Sequence, residues 1–169
     1  NSGVASSGNG LNSSLVFQIA NPGAFTLNFN ALAYLEAYTS PDSKTGSTAF
    51  ASDSLSFKLV DTSAGNSVVF QWAPDGALGG GTGVSNEVDP FNLNTSVSAS
   101  SPFPFTADNY YGTCSPQAVG CAVNAIFSAT TPTLVGGHTY QLSIASSTYT
   151  YATTVPEPAT LALLGLGLV

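Results

Sequence analysis

Few residues in this chain could carry chemistry, and they are scattered. Its one histidine, His138, lies in Gly136-Gly137-His138-Thr139. A Ser–His–Asp triad can be assembled on paper, but no Gly-x-Ser-x-Gly elbow lies nearby, so His138 is expected to be a surface turn residue. Glycoside hydrolysis needs two carboxyl groups ~5–9.5 Å apart. Glu87 and Asp89 are close in sequence, yet they sit in a Gly-rich stretch without an aromatic platform for a sugar ring, and Trp72 belongs to an alternating strand as a core residue. Residues 75–89 offer oxygen ligands for Ca²⁺ but lack the Asp spacing of an EF-hand, and Gly79-Gly80-Gly81 lacks the Lys of a phosphate loop. A flexible loop is expected there. No catalytic residue, metal site or cofactor is assigned, and the chain is read as not an enzyme.

Cys114 and Cys121 bracket Ser-Pro-Gln-Ala-Val-Gly. A zinc site normally takes three or four ligands, and one histidine is too few to complete it. A disulfide stiffening this short loop is expected, in an oxidising compartment; two reduced, packed thiols are the alternative. Asn12-Ser-Ser and Asn94-Thr-Ser fit the N-glycosylation pattern, and the many Ser and Thr residues suit O-linked sugar equally well.

Charge excludes several functions. Charged residues make up 7% of the 169, against roughly 25% in an average soluble domain. Nine carboxylates face only Lys44 and Lys58, giving a net charge of -7. Without cations to displace counterions from phosphates, nucleic-acid binding is excluded, and so is docking on anionic lipid through a basic patch. The polar surface must come from Ser, Thr, Asn, Gln and Gly. A surface so poor in charge also associates readily with copies of itself.

The elements that must position these residues read as strands. Leu15, Phe17 and Ile19 alternate with polar or outward residues, as do Phe25, Leu27 and Phe29. Over 31–38 the alternation weakens, which predicts a bulge or a strand covered on both faces. Leu55, Phe57 and Leu59, the turn chemistry of Asp61-Thr-Ser-Ala-Gly-Asn66, then Val68, Phe70 and Trp72 predict a hairpin. Residues 74–90 read as a long loop, and further strands are expected at about 92–99, 122–129, 139–146 and 148–154. Short strands with Gly/Pro punctuation predict an all-β, antiparallel β-sandwich or jelly-roll-like single domain. That domain is placed at 13–154, after a Ser/Gly-rich segment over 1–12 that reads as a processed start, and before an apolar tail over 155–169.

The tail is Val155-Pro156-Glu157-Pro158 followed by Ala159-Thr-Leu161-Ala-Leu163-Leu164-Gly-Leu166-Gly-Leu168-Val169. It resembles the PEP-CTERM sorting signal, in which Pro-Glu-Pro precedes a short hydrophobic segment and a terminal basic cluster. Pro156, Glu157 and Pro158 carry the motif; the basic cluster is absent, and the apolar run is shorter than the ~20 residues a spanning helix needs. The resemblance implies export by a Gram-negative, exopolysaccharide-producing bacterium and processing by an exosortase. A Leu-rich tail in water is an apolar patch, so Leu161, Leu163, Leu164, Leu166 and Leu168 are expected to pack on a neighbouring subunit, with docking on their own chain as the alternative. The sequence therefore points to a secreted, non-enzymatic structural protein of the cell surface or extracellular matrix, assembling with copies of itself into a filament. The alternative is an exopolysaccharide-binding module that stacks sugars on Tyr110, Tyr111, Tyr149 and Tyr151.

Overall fold

The structure, a computed structural model, describes residues 3–32, 35–39, 46–100, 105–108 and 124–154. These form ten strands: β1 (Gly3–Gln18), β2 (Thr26–Leu32), β3 (Leu35–Tyr38), β4 (Thr48–Asp61), β5 (Ser67–Trp72), β6 (Ser85–Val88), β7 (Ser96–Ser100), β8 (Phe105–Asp108), β9 (Asn124–Thr130) and β10 (Thr139–Thr154). All described pairings between them are antiparallel. The main sheet runs β1-β10-β4-β5, with β7 also on β4; a second runs β2-β9-β6, and β3 pairs β8. The all-β antiparallel sandwich expected from the alternation is the fold observed.

Alternation decides which face of each strand is buried. In β4 it buries Phe57 and Leu59, in β5 Phe70 and Trp72, and in β9 Phe127 and Ala129. These side chains, with Tyr140, Leu142 and Leu93, fill the space between the main sheet and the β2-β9-β6 sheet. Phe29 of β2 sits between the layers, its ring 5.1 Å from Phe127, 5.3 Å from Phe57 and 5.7 Å from Trp72. Burying a side chain of this size contributes ~1.5–3 kcal/mol, so this cluster is the main adhesive between the sheets. A smaller cluster of Ala37, Ala49, Ala51, Val97 and Ala99 packs β3 and β7 against the far end of β4.

The hairpin predicted over 55–72 forms as β4 and β5, with a register shift between Leu59 and Val60. Its turn closes on Asp61, whose Oδ1 accepts the Ser63 and Ala64 N–H groups at 3.0 and 3.1 Å. Gly65 and Asn66 supply the left-handed residues, at φ 68° and 63°.

Four features differ from the sequence reading. Residues 139–154 form one strand, not two, because β1 and β4 flank β10 and supply its ladder without interruption. Weakened alternation over 31–38 marks a change of sheet: β2 pairs β9, whereas β3 pairs β8. The expected 74–90 loop contains β6, paired with β9, and its glycines fold back on β5 through reciprocal Gln71–Thr82 backbone bonds of 2.8 and 2.9 Å. A Cβ at Gly81 would collide with the Gln71 carbonyl oxygen, and one at Gly83 with that of Val69, so these positions admit only glycine. Finally, the boundary expected at residue 12 falls inside β1, which pairs β10 along its whole length.

β5 and β7 occupy different parts of one β4 edge, leaving a gap at Leu55. The Asn94 side chain fills it. Its Oδ1 accepts the Leu55 N–H at 3.0 Å, and its Nδ2 donates to the Leu55 and Pro74 carbonyls at 3.0 and 2.7 Å. An amide engaged in this way is a backbone surrogate rather than a glycan acceptor. Asn94→Ala takes the side-chain partner from both the Leu55 N–H and C=O, while the Pro74 carbonyl keeps the Leu93 N–H at 2.9 Å, and should cost about 1–3 kcal/mol. Urea unfolding followed by Trp72 fluorescence measures this, and Asn12→Ala on exposed β1 should change stability by less than ~0.5 kcal/mol.

Candidate functional site

His138 follows the Gly136-Gly137 turn and is bound rather than free. Its Nδ1 donates to Asp61 Oδ2 at 2.7 Å, and the Asp61 side chain is buried. The bond to His138, joined by the Ser63 and Ala64 N–H groups, holds the Asp61 carboxyl below the usual carboxylate range; burial opposes this but is outweighed. The nearby hydroxyl, Ser63 Oγ, accepts the Thr139 N–H at 3.0 Å. Asp61 and His138 thus have the first two members of a triad in contact, while the adjacent serine is turned to the backbone. The pair ties the β4–β5 turn to the start of β10. His138 is the turn residue expected from the sequence, part exposed, and its contact with Asp61 is what the sequence did not predict.

Two of the three carboxylates of the 74–90 segment, Glu87 and Asp89, also point inward. Glu87 Oε1 accepts the Trp72 indole N–H at 2.7 Å, and its Oε2 accepts the Gly79 N–H at 2.6 Å. Asp89 Oδ2 accepts the Asp75 and Gly76 N–H groups at 2.7 and 3.0 Å, while its buried Oδ1 makes no hydrogen bond within the protein. Burial pushes the Asp89 carboxyl up to about 6, the two N–H bonds only partly offsetting it and the nearby Glu87 and Asp75 charges adding to it. Among the described residues, no group of three or more His, Cys, Asp or Glu side chains is placed to hold a metal ion. Carboxylates and glycines here fasten a loop to β5, a role the sequence reading missed. The signal available in the sequence was an acidic residue placed near a lone Trp.

The surface is of another kind. On β10, Tyr149 and Tyr151 alternate with the positions that continue the Tyr140–Leu142 face, so they project from the opposite side of the main sheet. Phe50 lies directly across from Tyr151 on β4, with ring centroids 5.4 Å apart and planes 26° from parallel. Tyr149 is 6.1 Å from Tyr151 and 6.2 Å from Phe50. On the other flank Tyr149 faces Gly8, where a Cβ would come 3.3 Å from its ring; the absent side chain lets the ring lie across β1. Around this patch are Ser54 and Ser147, joined hydroxyl to hydroxyl at 2.8 Å, and Thr48 and Thr153, joined at 2.7 Å. A shallow groove of about 350 Å³ opens beside the same end of the sheet, with Glu36 and Tyr38 of β3 on its wall.

The second surface feature is β1 itself. It is the edge of the main sheet, and among the described residues nothing pairs its outer side. Its 16 residues, Gly-Val-Ala-Ser-Ser-Gly-Asn-Gly-Leu-Asn-Ser-Ser-Leu-Val-Phe-Gln, contain neither a charge nor a proline. Val4 is 77% exposed, and Leu11, Leu15 and Val16 are each 60% exposed. The remaining expected site residues, Cys114, Cys121, Tyr110, Tyr111, the Pro156-Glu157-Pro158 motif and the leucines of the tail, lie outside the described residues.

Compared with known proteins, residues 154–169 match the PEP-CTERM protein-sorting motif. The chain therefore carries a signal for export to the bacterial cell surface or extracellular space and for exosortase processing. No curated protein matches the chain. Among solved structures, T=1 particles derived from infectious bursal virus are 11% identical over 93% of this chain and 41% of theirs, with a TM-score of 0.15. The infectious bursal disease virus Gx strain is 12% identical over 100% of this chain and 43% of its own, also at 0.15. The chain spans about two fifths of their length, and scores this low carry no argument.

The two perturbed carboxyls have opposite consequences. Asp61, held low, contributes stability above its unfolded value of ~3.9 that is lost as pH falls through its folded value. Asp89, held high, does the reverse: the folded state binds its proton more tightly, so stability declines as pH rises from ~3.9 through about 6. A carboxyl-carbon NMR titration should place the Asp89 midpoint about 6. In urea unfolding, Asp89→Asn should flatten the profile between about pH 4 and 6, and Asp61→Asn should flatten its acid limb. An Asp89 midpoint near ~3.9 would contradict this account.

Proposed function

We propose that this exported chain is a non-enzymatic structural protein of the bacterial cell surface or extracellular matrix that assembles with copies of itself into filaments. The observation that carries the self-association in this reading is the β1 edge. An exposed strand presents a row of unpaired N–H and C=O groups, and proteins that stay monomeric blunt such edges with charge, proline, bulges or a covering loop. Here the 74–84 segment covers β5, but among the described residues β1 has none of these protections over its 16 residues. A low-charge surface favours the same outcome. Leu161, Leu163, Leu164, Leu166 and Leu168 offer a second apolar contact in any molecule that keeps its tail. Negative-stain microscopy and sedimentation across a concentration series should find ordered oligomers; monomer at every concentration overturns the reading.

A second reading, binding of exopolysaccharide, is favoured by the Phe50–Tyr149–Tyr151 patch. Three rings on one flat face, bordered by Ser and Thr hydroxyls, suit the apolar face and hydroxyls of a sugar. Titration calorimetry against the host's polysaccharide should then register binding that weakens at least tenfold, about 1.4 kcal/mol, in Tyr149→Ala. No heat with wild-type protein, assembly being intact, removes this option.

A further inference from the structure

Among the described residues β1 is an unprotected edge, and its residue order also specifies what it pairs with. Placed antiparallel to itself about Gly10, it puts each residue i opposite residue 20 − i of a second copy. Val4 then faces Val16, Ala5 faces Leu15, Ser6 faces Ser14, and Ser7 faces Ser13. In these four pairs apolar positions meet apolar ones and hydroxyls meet hydroxyls, as cross-strand pairing prefers, while nearer the axis Gly8 faces Asn12 and Leu11 faces Asn9.

No neighbouring register does this. A shift of two residues one way sets Ser6 against Val16 and Ser7 against Leu15; the other way sets Val4 against Ser14 and Ala5 against Ser13. A shift of one would oppose residues from different faces of the sheet, which a two-fold axis normal to the sheet forbids. We infer that β1 pairs, edge to edge and antiparallel, with β1 of a second copy of this chain about a two-fold axis through Gly10. The inference rests on the self-assembly reading and deepens it by naming the contact and its register.

Charge and size agree with a second copy as the occupant. None of the nine carboxylates lies on β1, so in a molecule of net charge -7 this edge is where two copies meet without like charges face to face. Residues 4–16 at ~3.4 Å each give a contact ~45 Å long, and a sheet with its side chains is ~10 Å thick. That is ~900 Å² for both partners as a flat strip, close to the ~1,000 Å² of a small specific interface. The product is one continuous sheet in the order β5-β4-β10-β1, then β1-β10-β4-β5 of the second copy. A two-fold contact closes on itself, so the dimer is the repeating unit and filament growth must use another surface.

The register can be tested by charge pairing. Val4 and Val16 are exposed and ~40 Å apart along one strand, so charges placed there do not meet within a monomer. In Val4→Lys/Val16→Glu each lysine faces a glutamate of the second copy; in Val4→Lys/Val16→Lys it faces a lysine. Sedimentation at matched concentrations, with Trp72 fluorescence reporting the fold, should find dimers for wild type and the Lys/Glu form. The Lys/Lys form should dissociate with a Kd at least tenfold higher. Gly10→Cys places two Cα atoms across the axis at ~4.5–5.5 Å, within disulfide reach, and should form an intermolecular crosslink absent from wild type.

Equal association of the Lys/Glu and Lys/Lys forms overturns the register while oligomers of wild type keep the structural reading intact. Wild type that is monomeric throughout removes both.

Discussion

The position of the Phe29 ring governs the rest of this molecule. It touches Phe127 in its own sheet and Phe57 and Trp72 in the opposite one. For those contacts to form together, β2, β4, β5 and β9 must adopt one register each, because a slip of one residue turns every ring outward. The hairpin bulge at Leu59 and Val60 and the paired ladder of β2 on β9 are compatible with that single arrangement. Once it is set, Trp72 is committed to the core with its indole N–H needing an acceptor, and Glu87 supplies one at 2.7 Å. The glycine-rich segment is thereby drawn onto β5.

The few charges are consequently used inside the fold. Asp61, Glu87 and Asp89 each accept hydrogen bonds from turn or loop N–H groups, and two of them hold a neighbouring side chain as well. This leaves the outward faces of β1, β4 and β10 mostly uncharged, with Lys58 on β4 the one charge among their described residues, exposed apolar residues on β1 and one aromatic patch across β4 and β10. The low charge of the composition and the holding of Asp61, Glu87 and Asp89 at turns and loops act in the same direction, leaving little charge on the strands to keep molecules apart. Both the proposed assembly and the sugar-binding alternative follow from that neutral surface.

The strands were legible in the sequence because alternation reports burial directly: Leu55–Phe57–Leu59 and Phe25–Leu27–Phe29 behave as read. The hairpin turn was legible because Asp61, Gly65 and Asn66 have few other uses. What was not legible depends on partners distant in sequence. β10 reads as two strands because Ser146, Ser147 and Thr148 look like a break, and only β1 and β4 on either side carry the ladder through them. Asn94 looks like a glycosylation site until the gap on β4 is known. His138 looks like a solitary turn residue until Asp61, 77 positions away, is beside it. The aromatic patch needed the same knowledge, since Phe50 meets Tyr149 and Tyr151 only through the β4–β10 register.

The pairing of Gly3 with Thr154 places the described ends of β1 and β10 side by side. A load applied at that shared end, one hand on each strand, peels the ladder apart a rung at a time. A load that enters along β10 and leaves through the outer edge of β1 meets all 16 paired positions at once, in shear. The same two strands are thus a weak zipper in one direction of pull and a strong lap joint in the other, and edge-to-edge neighbours would load the joint.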